Sequence, residues 1–255
     1  MNQRLVCWFS CGATSAVATK LALAAFPGLE PHVVYHDTRS EHPDNQRFLA
    51  NCEKWYGLKI ERNSSEKYHD IWDVFERERW IIGVRGAKCT TVLKREMGRA
   101  YERPDDVQVF GFDLSEAHRI HRFRINNPEI HLETPLLGAR YDKRRCLEVL
   151  ASAGIKIPMM YRLGYGNNNC LGCPKGGMGY WNKIRRDFPE TFARMAAVER
   201  RLDVAINKSY AGDGIRKQVF LDELDPKAGR GYVEPMGCGL FCQEEPNHIP
   251  EEPTE

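Results

Sequence analysis

The sequence has no apolar run approaching the roughly 18 residues that a membrane-spanning helix needs. It has no internal repeat, and no biased tract before its last residues. Its start, MNQRLVCWFS, lacks the basic flank, long apolar stretch and cleavage site of a secretory signal. A transmembrane protein and a secreted disulfide miniprotein are therefore excluded, and no membrane partner is expected. Hydrophobic residues at 42% and charged residues at 28% of 255 also exclude a disordered chain.

Charge is not spread evenly along the chain. The segment QEEPNHIPEEPTE (243–255) holds five Glu, three Pro and no Lys or Arg, and reads as a disordered, solvating tail. Without those five Glu the formal charge of the remainder rises from +2 to +7, a mildly basic body suited to an anionic ligand. Nine cysteines without a secretion signal point to the reducing cytoplasm. Cys7, Cys52 and Cys146 sit in apolar-periodic segments and read as core residues. Cys89, Cys170, Cys173, Cys238 and Cys242 lie in Gly-, Lys- or Asn-rich surroundings and call for another account.

The first two thirds alternate strand and helix. Strands are expected at 4–9, 32–36, 58–62 and 107–112. Helices are expected at 14–25, from Pro43 to Gly57, at 69–80, at 90–102 and after 112. This alternation predicts an α/β fold, a mostly parallel twisted sheet with helices on both faces. A Cys-containing loop and a helical C-terminal part follow. The expected division is a nucleotide-binding domain over 1–156, a Cys-rich loop, helix and end segment over 157–242, and the tail over 243–255. A last helix is expected from Pro189 to Asn207. Gly176 to Trp181 reads as a flexible aromatic loop or a packing corner.

Parallel α/β sheets bind ligands at the carboxyl ends of their strands. Three such ends are small, polar or charged here: Ser10-Cys11-Gly12-Ala13-Thr14-Ser15, Asp37-Thr38 and Gly111-Phe112-Asp113. They predict one site. The first end lies between a buried strand and a helix, where hydroxyls and unpaired N–H groups can hold a phosphate. Its spacing is neither that of the Walker loop nor G-x-G-x-x-G.

This loop resembles the SGGxDS pyrophosphate loop of the adenine nucleotide α-hydrolase superfamily. Within that group the chain is most similar to the phosphoadenosine phosphosulfate (PAPS) reductase family. The likeness runs over most of residues 4–175, through FSCGATS, VVYHDTRSEHPDNQRFL, KCTTVLKR, VFGFDLSEAHR, PLLGARYDKRRCLEVLASAGI and MYRLGYGNNNCLGCP. Cys11 replaces a usual Gly, and Thr14 replaces the Asp of the ATP-cleaving members. The resemblance implies an adenine nucleotide substrate (PAPS, adenylyl sulfate or ATP) contacted by Ser10, Gly12, Ser15, Asp37 and Thr38; Cys11, Thr14, Gly111 and Phe112, at the same strand ends, are expected beside it. Lys88 and Lys94 are further candidates for its phosphates.

Cys170-Leu171-Gly172-Cys173 is a C-x-x-C turn, which suits zinc, an iron–sulfur cluster or a redox dithiol. The resemblance implies a [4Fe–4S] cluster on Cys89, Cys170 and Cys173. Cys242, Cys238 or an external group would be its fourth ligand. Cys238-Gly239-Leu240 resembles the C-terminal segment whose cysteine attacks the nucleotide's sulfur, although Gly237 and Phe241 replace the flanking Glu and His. Cys238 is the implied nucleophile, with a thiol reductant protein as partner. The implied activity is reduction of a sulfonucleotide to sulfite. An ATP-dependent sulfurtransferase acting on nucleic acid and a nucleotide-binding regulator are the alternatives. Basic clusters at 118–124, 143–145 and 183–186 read as solvated faces, phosphate contacts or a nucleic-acid surface.

Overall fold

A computed structural model describes residues 3–83, 86–210 and 216–229. The chain begins β1 (Arg4–Trp8), α1 (Ala13–Ala25), β2 (Glu30–His36), α2 (Asn45–Tyr56) and β3 (Ile60–Asn63). Next come α3 (Ile71–Glu78), the short strands β4 (Ile82–Gly83) and β5 (Gly86–Ala87), and α4 (Lys88–Thr90). A π turn (Thr91–Arg95) joins α4 to α5 (Glu96–Tyr101). Then follow β6 (Val107–Val109), α6 (Ala117–Asn126), β7 (His131–Glu133), α7 (Pro135–Gly138), α8 (Lys143–Ser152) and α9 (Met159–Arg162). The described chain continues with α10 (Met178–Asp187), α11 (Pro189–Leu202) and the hairpin β8 (Asn207–Tyr210) and β9 (Arg216–Val219).

The main sheet has the order β3-β2-β1-β6-β7, and every neighbouring pair is parallel. The chain winds outward from β1 through β2 to β3, then resumes on the other flank with β6 and β7. The direction therefore reverses between β1 and β6, where an open α/β sheet leaves a crevice for ligands. Side chains of β1 alternate between two cores. Leu5, Cys7 and Phe9 pack with residues of α1, α2 and α8. Val6 and Trp8 pack on the other face with Val34, Phe110 and the α6 residues Ile120 and Phe123. Both faces are covered, as the sequence predicts. Each fully buried Leu, Val or Phe contributes about 1.5–3 kcal/mol.

A third core joins residues from distant parts of the chain. Ile71, Trp72, Val74 and Phe75 of α3 pack with Cys89, Val92 and Leu93, with Cys170 and Cys173, and with Trp181, Ile184, Met195 and Val198 of α10 and α11. It therefore draws on both sides of residue 157.

The structure departs from the sequence reading in several places. The strand β7 was not expected; with only His131–Glu133 it offers too few residues for a period. The last helix ends at Leu202, because Asp203 adopts a left-handed φ of 54° and closes it, and Asn207 opens β8 instead. Met178 to Trp181 is the first turn of α10, with Trp181 fully buried, so this segment is a packing corner. Cys238, Cys242 and the acidic tail lie outside the described residues.

Candidate nucleotide and thiol site

The loop between β1 and α1 is tied by its serines. The Ser15 hydroxyl accepts from the Ser10 N–H at 3.1 Å and the Ser10 hydroxyl at 3.0 Å, and donates to the Gly12 carbonyl at 3.1 Å. Cys11 takes a left-handed φ of 57°, the conformation that favours glycine. Its side chain is fully buried and its thiol donates to the Asn45 carbonyl at 3.7 Å. Burial pushes that thiol well above its ordinary pKa, so Cys11 is an inert core thiol. Gly12 is confined: a Cβ there would lie 3.2 Å from the Tyr161 hydroxyl. The N–H groups of Gly12, Thr14 and Ser15 meet no acceptor among the described residues, as expected at a helix start. Together they form a cradle of donors suited to an anion at the switch point.

The ends of β2 and β6 lie along the same edge. Asp37 accepts the Arg39 N–H at 2.9 Å and faces the Arg62 guanidinium at 3.5 Å. Gly111 packs directly on the cradle: a Cβ there would fall 2.6 Å from Ser15 Cα and 2.7 Å from Ser15 N. Phe112 is buried, stacked on Phe110 and covered by the Arg119 guanidinium. Asp113 caps the turn that leads into α6 by accepting the Ser115 N–H at 2.9 Å.

Beside the end of β2, one small cavity gathers the other candidates. Its walls are Thr38, Ile71, Ala87, Cys89, Thr90, Lys94, Cys170, Cys173 and Pro174. Cys89, Cys170 and Cys173 thus line one cavity, although 81 residues separate Cys89 from Cys170. Thr38 Oγ1 lies 3.1 Å from Cys170 Sγ, joining the loop after β2 to the thiol cavity. The Leu171 N–H donates to the Ser40 carbonyl at 2.7 Å and fixes the C-x-x-C turn on the same loop. Lys94 rides on the π turn, a distortion often found at functional sites. Lys88 instead pairs with Glu78 at 3.0 Å.

The donor set of this cavity is thiolate, which suits zinc or iron–sulfur and not a hard cation. Among the described residues no three His, Cys, Asp or Glu side chains are grouped to hold one metal ion. Burial pushes the core thiols of Cys7, Cys52 and Cys146 up to about 12.

Several site residues escaped the sequence reading. Tyr161 accepts the Ala13 N–H at 3.3 Å, and Asn168 donates to the Cys11 carbonyl at 2.7 Å, so the segment before the C-x-x-C closes onto the cradle. Lys143 donates to the Gly166 carbonyl and to Asn167 Oδ1, and stands 5.1 Å from the Tyr161 ring centre. Burial lowers its pKa. The run of three Asn at 167–169 and the basic run at 143–145 were the signals for these contacts.

Most of the basic clusters are locally engaged. Arg144 and Arg145 meet Glu148, Lys183 and Arg186 meet Asp187, and Arg185 donates to the Leu221 and Leu224 carbonyls. On α6, His118, His121, Arg122 and Arg124 are exposed with no acidic partner among the described residues. No described helix is long and apolar enough to cross a membrane.

The sequence matches the family described as phosphoadenosine phosphosulfate reductase domain over residues 4–175. It is also similar to the uncharacterised protein MJ0066 of Methanocaldococcus jannaschii, 27% identical over 226 residues. That alignment covers 83% of this chain and 44% of the relative, so the chain spans less than half the relative's length.

Proposed function

The chain belongs to the phosphoadenosine phosphosulfate reductase domain family, and on that premise we propose that it is an enzyme reducing an adenine sulfonucleotide to sulfite. The observation that carries this reading is the 3.1 Å approach of Thr38 to Cys170, which sets a thiol cavity against the edge bearing the anion cradle. A nucleotide phosphate held by the N–H groups of Gly12 and Thr14, with Asp37 nearby, would turn its sulfonate toward that cavity. Lys94, on the cavity wall, would offset the charge of the sulfonate and of the departing phosphate.

In the proposed reaction a cysteine thiolate attacks the sulfur and the bond from sulfur to the bridging phosphate oxygen breaks. Adenosine phosphate leaves and the enzyme holds a cysteine thiosulfonate. A second thiolate, from a dithiol reductant, attacks the cysteine sulfur and releases sulfite; the dithiol supplies two electrons and ends as a disulfide. Cys238 is the proposed nucleophile. Cys89, Cys170 and Cys173 would hold a [4Fe–4S] cluster, with Cys242 as the fourth ligand. Such a cluster, when bound, would supply redox capacity beside the nucleotide. This chain's own residues bind the phosphate, place the sulfonate and shield it from bulk water.

The unpaired cations of α6 favour a second reading, an ATP-dependent sulfurtransferase that thiolates nucleic acid. Incubating iron-reconstituted protein with labelled PAPS, adenylyl sulfate or ATP separates the two. Thiol-dependent sulfite release supports the reductase, and pyrophosphate release from ATP supports the sulfurtransferase. Neither product would leave a nucleotide-binding protein without this chemistry.

A further inference from the structure

A buried polar chain links the thiol cavity to the anion cradle, and the proposed reaction leaves its middle members without a role. Lys94 Nζ stands 4.0 Å from Glu41 Oε1. Glu41 Oε2 accepts from the Tyr35 hydroxyl at 2.7 Å and from Asn45 Nδ2 at 2.6 Å. Asn45 Oδ1 accepts from Asn168 Nδ2 at 2.8 Å, and the same amino group donates to the Cys11 carbonyl at 2.7 Å. Asn45 and Asn168 are only 1% and 6% exposed.

The carboxylate sets the direction of the whole chain. Only the amino end of Asn45 can donate to Glu41, so its oxygen faces Asn168. That orients Asn168 with its amino group on Cys11 and leaves its own Oδ1 buried with no partner among the described residues. A buried acceptor without a donor is destabilising. A side chain kept in that condition is held by its other end. What that end holds is the peptide between Cys11 and Gly12. In a trans peptide the C=O and N–H point in opposite directions. With the Cys11 carbonyl on Asn168, the Gly12 N–H, a donor of the cradle, points away from Asn168.

We propose that Glu41, Asn45 and Asn168 are positioning residues that couple the anion cradle to the thiol cavity. The inference rests on the reading that a nucleotide phosphate occupies residues 10–15. A phosphate on the Gly12 N–H fixes the Cys11–Gly12 peptide, and through Asn168, Asn45 and Glu41 it fixes Lys94 on the cavity wall. Coupling of this kind is reciprocal: a change at Lys94 alters affinity at the cradle.

The test is a double-mutant cycle of Lys94→Met and Asn168→Ala, read as equilibrium affinity for adenosine 3′,5′-bisphosphate. Each single change is expected to weaken binding about 10-fold, the loss of one buried polar contact. Independent sites would multiply to about 100-fold; the coupled chain predicts a double variant only about 10- to 20-fold weaker. General loosening would not produce that shortfall. A full multiplicative loss overturns the coupling. Should Asn168→Ala fail to fold, Asn45→Ala takes its place in the cycle with the same two outcomes. Wild-type protein that binds no adenine nucleotide refutes the underlying reading instead.

Discussion

Replacing Gly111 with Ala is expected to damage the cradle directly. The new Cβ would lie 2.6 Å from Ser15 Cα, 2.7 Å from Ser15 N and 3.0 Å from the Thr14 carbonyl carbon. All three are backbone atoms, so no side chain can swing aside. Ordinary contact begins near 3.4 Å, which leaves a shortfall of 0.8 Å that the start of α1 or the end of β6 must absorb. Overpacking of this kind costs about 1–3 kcal/mol, or about 2–12 °C in Tm for a domain of this size. The same shift moves the Thr14 and Ser15 N–H groups by a large part of a hydrogen-bond length, and each charge-assisted bond lost weakens a phosphate by about 1.5–3 kcal/mol. Nucleotide affinity is therefore expected to fall at least about 10-fold. Gly138→Ala, where a Cβ meets nothing within 4 Å, is the control. Thermal melts and calorimetric titration of both variants decide the matter. A Gly111→Ala protein that matches the control in Tm and affinity would refute the packing argument.

Three further outcomes follow from other parts of the molecule. Asp106→Asn should cost about 3–5 kcal/mol in urea unfolding, because the buried Arg4 guanidinium, bonded to both carboxylate oxygens at 2.8 and 2.6 Å, loses its counter-charge; nucleotide affinity should hold, since the pair lies at the opposite end of β1. His36 stacks on Trp8 at 5.1 Å with neither ring nitrogen hydrogen-bonded among the described residues, and burial, helped by the Lys94 charge, pushes its pKa down to about 3. The unfolded chain takes up that proton near pH 6.5 and the folded chain does not, so stability should fall as pH drops from about 6.5 toward 3, by up to about 1.4 kcal/mol per pH unit; a His36→Phe variant with an unchanged pH slope would contradict this. Anaerobically prepared Cys170→Ser should lose bound iron while Cys146→Ser keeps it, and equal iron in both would remove Cys170 from the ligand set.

The sheet and the cradle were legible in the sequence because both follow local rules. Apolar runs such as Arg4–Trp8 mark buried strands, and small residues after them mark a turn into a helix. The convergence of Cys89 with Cys170 and Cys173 was reached through a resemblance, since no spacing rule relates residues so far apart. What stayed hidden is non-local or conformational. Asn45, Asn168 and Tyr161 are ordinary residue types whose importance comes from packing across the fold. Cys11 looked like a ligand contact because of its place in the loop; its left-handed backbone turns the thiol into the core. The aromatic cluster at Tyr180 and Trp181 resembled a loop because glycines precede it, although its apolar spacing with Ile184 is that of a buried helix.

The central claim is that a sulfonucleotide lies in the crevice between β1 and β6 with its sulfur turned toward the thiols. A crystal structure of the protein with adenosine 3′,5′-bisphosphate, the nucleotide left after PAPS reduction, tests it most directly. The account predicts a 5′-phosphate within about 2.7–3.2 Å of the Gly12 and Thr14 N–H groups, its free oxygens facing the cavity of Cys89, Cys170 and Cys173. A nucleotide bound on another face, or a crevice left empty at saturating ligand, would contradict it.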